Sequence, residues 1–133
     1  MIYRMFDTFE GLPSSPGRFD PQFYRCQYEA NLMEVQEYLR KYPHVYFYKG
    51  LFPAETDSHV SRKRFSFVHL DVDLYKRTKE ALTFFYPRMI KGWIIICHDY
   101  ASFGVRKAFD EFVKNKHVPI LESFGIQVLV VKA

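Results

Sequence analysis

Asp71, Asp73, His98 and Asp99 stand at the ends of two apolar, β-prone runs, Phe65-Ser-Phe-Val-His-Leu-Asp-Val-Asp-Leu-Tyr75 and Gly92-Trp-Ile-Ile-Ile-Cys-His-Asp-Tyr100. Carboxylates and imidazole are the groups that hold divalent cations and move protons near neutral pH. Continuous apolar runs of this length read as buried parallel strands. In open α/β sheets, ligands bind outside the carboxyl ends of such strands. A helix-like segment separates the two runs, so they read as β-α-β with the strands parallel and adjacent. The expectation is a divalent-metal or acid/base site built from these four residues. A plainer reading competes with it. Asp73 and Thr78 precede a helix and could serve it as caps, and His98 could be a hydrogen-bonded structural histidine. His69, inside a strand expected to be buried, reads as a satisfied core histidine, and His44, His59 and His117 fall in loops with no assigned role.

The elements that must position these groups follow from pattern. A strand covers Ile2 to Phe6 and runs into Asp7-Thr-Phe-Glu-Gly-Leu-Pro13, and the Ser14-Ser-Pro-Gly17 cluster marks a loop. Between Cys26 and Tyr42, apolar residues at 28, 32, 35, 39 and 42 define one helical face, which Pro43 ends. Val45 to Tyr48 is a second strand. After the run at Phe65, Lys76 to Met89 reads as a helix with Ala81, Leu82, Phe85 and Met89 inward. Trp93 to Cys97 is a strand, Val105 to Lys116 a helix, and Pro119–Glu122 and Gln127–Val131 form a terminal hairpin turning at Gly125. Alternation followed by a hairpin predicts an α/β, mostly parallel sheet with one antiparallel strand.

Bulk properties bound the function classes. The 133 residues predict a single domain, 1–133, and 48% hydrophobic content with 14 Phe and 10 Tyr fits a packed core. The net charge of +4 is modest, and Ser61-Arg-Lys-Arg64 is read as a solvated loop. Aromatics lie within apolar patterns rather than among cations on one face, which argues against nucleic-acid binding. Cys26 and Cys97 have neither metal-ligand nor disulfide-framework spacing. No signal peptide and no membrane-length apolar run is evident, so a cytoplasmic setting without membrane attachment is expected.

In order along the chain, Phe6-Asp-Thr-Phe-Glu-Gly-Leu-Pro13, Lys49-Gly-Leu-Phe52, His69-Leu-Asp-Val-Asp-Leu-Tyr75, Tyr86-Pro-Arg with Gly92-Trp-Ile-Ile-Ile, His98-Asp-Tyr100 and Arg106-Lys-Ala-Phe-Asp-Glu-Phe112 together resemble the macrocin O-methyltransferase family. The resemblance implies a three-layer, Rossmann-like class I methyltransferase sheet. It also implies an S-adenosylmethionine-dependent O-methyltransferase acting on the hydroxyl of a sugar or other small molecule with help from Mg²⁺ or another divalent metal. By the same resemblance Asp71 is a metal ligand, and His98 and Asp99 lie at or near the metal. Asp73 is the general base, and Asp7, rather than Glu10, faces the cofactor ribose. A nucleotide-sugar glycosyltransferase also uses Asp-x-Asp, but leaves Asp7-Thr-Phe-Glu-Gly and His98-Asp-Tyr100 unexplained.

Two departures from the family pattern carry expectations. His98 stands where the family has an aspartate, replacing a carboxylate by a ligand that suits borderline metals better than Mg²⁺. The family also has a strand and a glycine-rich turn leading into a helix ahead of the position of Ile2, and no Gly-x-Gly occurs in these residues. The expected sheet thus misses its usual first strand and helix, leaving the Ile2 and Phe65 strands to face an unfilled slot or close up. From this follow weak or absent cofactor binding by the isolated chain and a homo-oligomer formed through open strand edges. The alternative to an active enzyme is a truncated, non-catalytic methyltransferase-like protein that keeps the metal site.

Overall fold

The computed structural model describes residues 1–13, 17–123 and 125–133. The Ser14–Gly17 loop, apart from Gly17, lies outside the described residues. Two compact units are present, one taking in Met1–Pro16 and Gln22–Ser61, the other Gly17–Pro21 and Arg62–Ala133.

In the first unit, β1 (Tyr3–Asp7) pairs in parallel with β2 (Val45–Lys49), from Tyr3 opposite Val45 to Asp7 opposite Lys49. The helix between them, α1, covers only Leu32–Leu39, shorter than the apolar spacing predicts. Asn31 sets its start, its side chain accepting from Met33 N at 2.9 Å and Glu34 N at 3.3 Å. Cys26 and Tyr28 have φ of +62° and +66°, which no right-handed helix accommodates. The stripe Leu32, Val35, Leu39 is half-buried, whereas Tyr28 and Tyr42 at its extremes are exposed.

The second unit carries β3 (Phe65–Leu70), α2 (Tyr75–Phe85), β4 (Met89–Cys97), α3 (Phe103–Val113), β5 (Ile120–Ser123) and β6 (Gln127–Val131). Its sheet has the order β3-β4-β6-β5. β3 and β4 are parallel, β6 is antiparallel to both β4 and β5, and β6 alone runs against the others. The α/β class, the parallel core and the closing hairpin at Gly125 (φ +69°) are therefore as predicted. Among the described residues, β1 pairs only with β2 and β3 only with β4, so each is an edge strand of its own sheet.

Lateral partners explain the core. Val68 and Leu70, Ile95 and Cys97, and Val128 and Val130 share one face of the sheet and are buried. Ala81, Leu82 and Phe85 of α2 and Val105, Ala108 and Phe109 of α3 are buried as well, as expected of helices covering that face. Burying side chains of this size contributes about 1.5–3 kcal/mol each. α2 ends at Phe85, earlier than predicted, because Pro87 cannot donate a helical hydrogen bond; a 3₁₀ turn, Tyr86–Arg88, follows. Met89, placed by periodicity on the helix, instead opens β4 and is fully buried there. The β3–β4 register shifts between Phe65 and Phe67, and Gly92 within β4 has φ +83°.

Candidate metal and proton-transfer site

The parallel register Leu70↔Cys97 delivers the next residues of both strands side by side, and His98 N donates to Leu70 O at 2.8 Å. Asp71, His98 and Asp99 thereby offer three potential ligand atoms lying within 4.8 Å of one another. His98 Nδ1 is 2.9 Å from Asp99 Oδ2 and 3.7 Å from Asp71 Oδ1. The imidazole thus points into the acidic group rather than away. The shorter contact lacks the alignment of a good hydrogen bond, and Nδ1 is buried without such a partner. His69 is exposed on the open face of the edge strand, not a core residue as expected, because β3 buries one side only. Its ring lies 6.1 Å from that of His98.

Asp73 joins this charge cluster. It is the central residue of a tight turn in which Leu74 N donates to Val72 O at 2.6 Å, with φ +58°. Burial, then the negative charges of Asp71 and Asp99, push its carboxyl up to about 7. Asp71 is also raised, first by burial, against the lowering influence of His98. His98 is raised, first by its contact with Asp99 and further by the charges of Asp99, Asp71 and Asp73, with burial opposing. Asp99, at φ +56°, is carried by a loop that Tyr100 anchors: Tyr100 N donates to Ile126 O at 2.9 Å, and its hydroxyl donates to Asp110 Oδ1 at 2.7 Å.

The capping reading of Asp73 does not hold. α2 has Leu74 at its N-cap with no side-chain cap, and the first-turn Tyr75 N donates instead to Asp20 Oδ2 at 3.0 Å. Asp20 is 2% exposed, and its Oδ1 occupies the space that a Cβ on Gly104, at the start of α3, would need. One buried carboxylate therefore lies at the beginnings of both helices that follow the site loops. No pattern in the sequence marks Asp20, since its partners lie 55 and more residues away.

In the other unit, Asp7 ends β1, and its Oδ1 accepts from Phe9 N at 2.6 Å. Asp7 thus forms a local turn with its own carboxylate, and the second carboxylate oxygen has no hydrogen bond among the described residues. Glu10 pairs with Lys49 at 3.1 Å. Cys97 is buried and its thiol pushed up to about 12, an inert core group.

The donor set fits a small divalent cation. Two donors bound to one ion at about 2.1 Å lie about 3.0 Å apart at a right angle and about 3.4 Å apart at the tetrahedral angle. The 2.9 and 3.7 Å spacings around His98 Nδ1 are near those values.

Comparison with known proteins bears on the family and the fold. The sequence model of the macrocin O-methyltransferase family matches residues 2–123. The O-methyltransferase NovP superposes with a TM-score of 0.83 at 21% identity, over 99% of this chain and 60% of that one. CalS11, a calicheamicin methyltransferase, gives 0.79 at 18% identity, over 98% of this chain and 60% of that one. An apo structure of CalS11, described as a TDP-rhamnose 3'-O-methyltransferase, gives 0.69 at 15% identity, over 98% and 58%. The chain thus spans about three-fifths of the length of these structures. No curated protein matches it.

Proposed function

This chain belongs to the macrocin O-methyltransferase family, and from that premise we propose that it serves S-adenosylmethionine-dependent O-methylation of a hydroxyl on a sugar or other small molecule, assisted by a divalent metal. The observation that carries the reading is the convergence of Asp71, Asp73, His98 and Asp99 at the carboxyl ends of β3 and β4. A glycosyl hydroxyl is a poor nucleophile until it loses its proton, and methyl transfer needs its oxygen held close and in line. Asp73 takes that proton. Its carboxyl, raised to about 7, is basic enough to accept a proton and still largely ionised just above neutrality. Asp71, His98 and Asp99 hold the metal. When bound, the metal lowers the pKa of the acceptor hydroxyl. Asp7, through its unused carboxylate oxygen, accepts from a ribose hydroxyl of S-adenosylmethionine, which supplies the electrophilic methyl group.

Calorimetric titration with S-adenosylmethionine, followed by transfer of labelled methyl to a panel of nucleotide sugars and phenols, tests the reading. Weak cofactor binding, with metal-dependent labelling of a hydroxyl, is the expected result. Absence of both, with metal binding intact, would remove the catalytic reading and leave a metal-holding, non-catalytic member of the family.

A further inference from the structure

Three donors meet in the cluster, and one of them is an imidazole nitrogen. Nδ1 of His98 is turned inward between Asp71 and Asp99, is shielded from solvent, and lacks an aligned hydrogen bond. A structural histidine would satisfy that nitrogen on a backbone carbonyl or a well-directed carboxylate. Here it is left available toward the two carboxylates with which it would share an ion. The backbone that carries the ring is held in place: its N–H is tied to Leu70 O across the β3–β4 pair, and the following Asp99–Tyr100 loop is anchored on β6's side at Ile126 and on α3 at Asp110. The sheet therefore fixes the point from which the imidazole reaches the two carboxylates.

Mg²⁺ is a hard ion that takes oxygen ligands and gives up water reluctantly. An imidazole in the set costs it a ligand and removes one negative charge relative to three carboxylates. Ions such as Co²⁺, Ni²⁺ and Zn²⁺ accept imidazole readily, and their affinity for nitrogen donors rises along the Irving–Williams order. Resting on the metal reading above, we propose that this site is selective for a borderline divalent transition-metal ion, bound through His98 Nδ1 together with Asp71 and Asp99, over Mg²⁺. Any mixed-oxygen site favours transition metals to some degree, so the diagnostic quantity is the part of that preference that His98 supplies.

The test is calorimetric titration of the full chain with CoCl₂, NiCl₂ and MgCl₂ separately, for wild type, His98→Asp, His98→Gln and Asp71→Asn. The Co²⁺-over-Mg²⁺ affinity ratio is expected to be at least about tenfold larger in wild type than in His98→Asp, with Mg²⁺ affinity rising in that variant. His98→Gln, which keeps a neutral polar side chain without the imidazole, is expected to lose Co²⁺ affinity and gain none for Mg²⁺. Stoichiometric Co²⁺ should also broaden the His98 ring resonances before those of His44, His59 and His117. A ratio unchanged by both His98 variants, in a protein whose binding is lost in Asp71→Asn, overturns the selectivity and leaves the metal site standing. Binding that survives Asp71→Asn unaltered, or no binding of any ion, overturns the site itself and the selectivity with it.

Discussion

Replacing Asp20 by alanine should unfasten the start of α2. The carboxylate is 2% exposed and accepts from Tyr75 N at 3.0 Å, so its removal leaves a first-turn N–H without that partner. Losing an N-cap acceptor costs about 1 kcal/mol and up to about 2, and a hydrogen bond to a charged group contributes about 1.5–3 kcal/mol. Against this stands the desolvation of Oδ1, which has no hydrogen-bond partner; releasing a buried unpaired group returns about 1–3 kcal/mol. Since the cap and the charged hydrogen bond are one interaction, loss and return nearly offset, and the void left where a buried carboxylate stood tips the balance to a net destabilisation of about 1 kcal/mol, read as a fall in the urea midpoint with unchanged m. Asp20→Asn keeps an acceptor oxygen and should lose less. The pH dependence has a definite sign. Burial raises the Asp20 carboxyl above its ordinary value of 3.8, with the bond from Tyr75 opposing. A raised acid contributes stability that is fully present below its unfolded pKa and lost as pH rises through the folded one. The advantage of wild type over Asp20→Asn should accordingly be greatest in acid and shrink as pH rises. An Asp20→Ala protein within about 0.5 kcal/mol of wild type, or a wild-type advantage that grows with pH, would refute the reasoning.

Three further outcomes are expected. Asp73→Asn should lower kcat by about 10²–10⁴ while leaving metal affinity nearly unchanged; near-normal turnover would exclude it as the base. Gly104→Ala places a methyl where Asp20 Oδ1 sits and should cost about 1–3 kcal/mol, but much less in an Asp20→Ala background; strict additivity in that cycle would disconnect the two residues. Light scattering should find a homo-oligomer, since β1 and β3 each present an edge unpaired among the described residues, whereas a monomer across micromolar concentrations would show that the edges need no second copy.

Legibility in the sequence tracked the range of the interactions. The strand ends that carry Asp71 and His98 were readable because a β-α-β unit is local and its handedness is fixed. Element boundaries failed where a side chain or a turn overrode periodicity: Asn31 starts α1 late, and Pro87 cuts α2 short so that Met89 enters the sheet. His69 was misplaced because apolar continuity suggested two covered faces, whereas β3 is an edge strand covered on one. Asp20 was invisible for a different reason. Its meaning depends entirely on contacts with residues 75 and 104, and nothing around position 20 encodes them.

Backbone conformation decides between capping and chemistry for the two acids whose roles were most ambiguous. A capping residue sits in the extended region, with its side chain folded over the helix start. Asp73 and Asp99 instead have φ of +58° and +56°, a left-handed conformation that costs an L-residue about 1–2 kcal/mol. Phe9, Cys26, Tyr28 and His44 share it, so the conformation alone marks nothing. What separates Asp73 and Asp99 is how firmly each is held there. The Val72–Leu74 turn and the Asp20–Tyr75 bond bracket Asp73, and Tyr100 moors Asp99 through its backbone, its hydroxyl and its ring against Phe109. Neither following helix takes a side-chain cap from them. Strain of this kind persists only where surrounding contacts over-determine it, and here those contacts hold both acids in one charge cluster with Asp71 and His98.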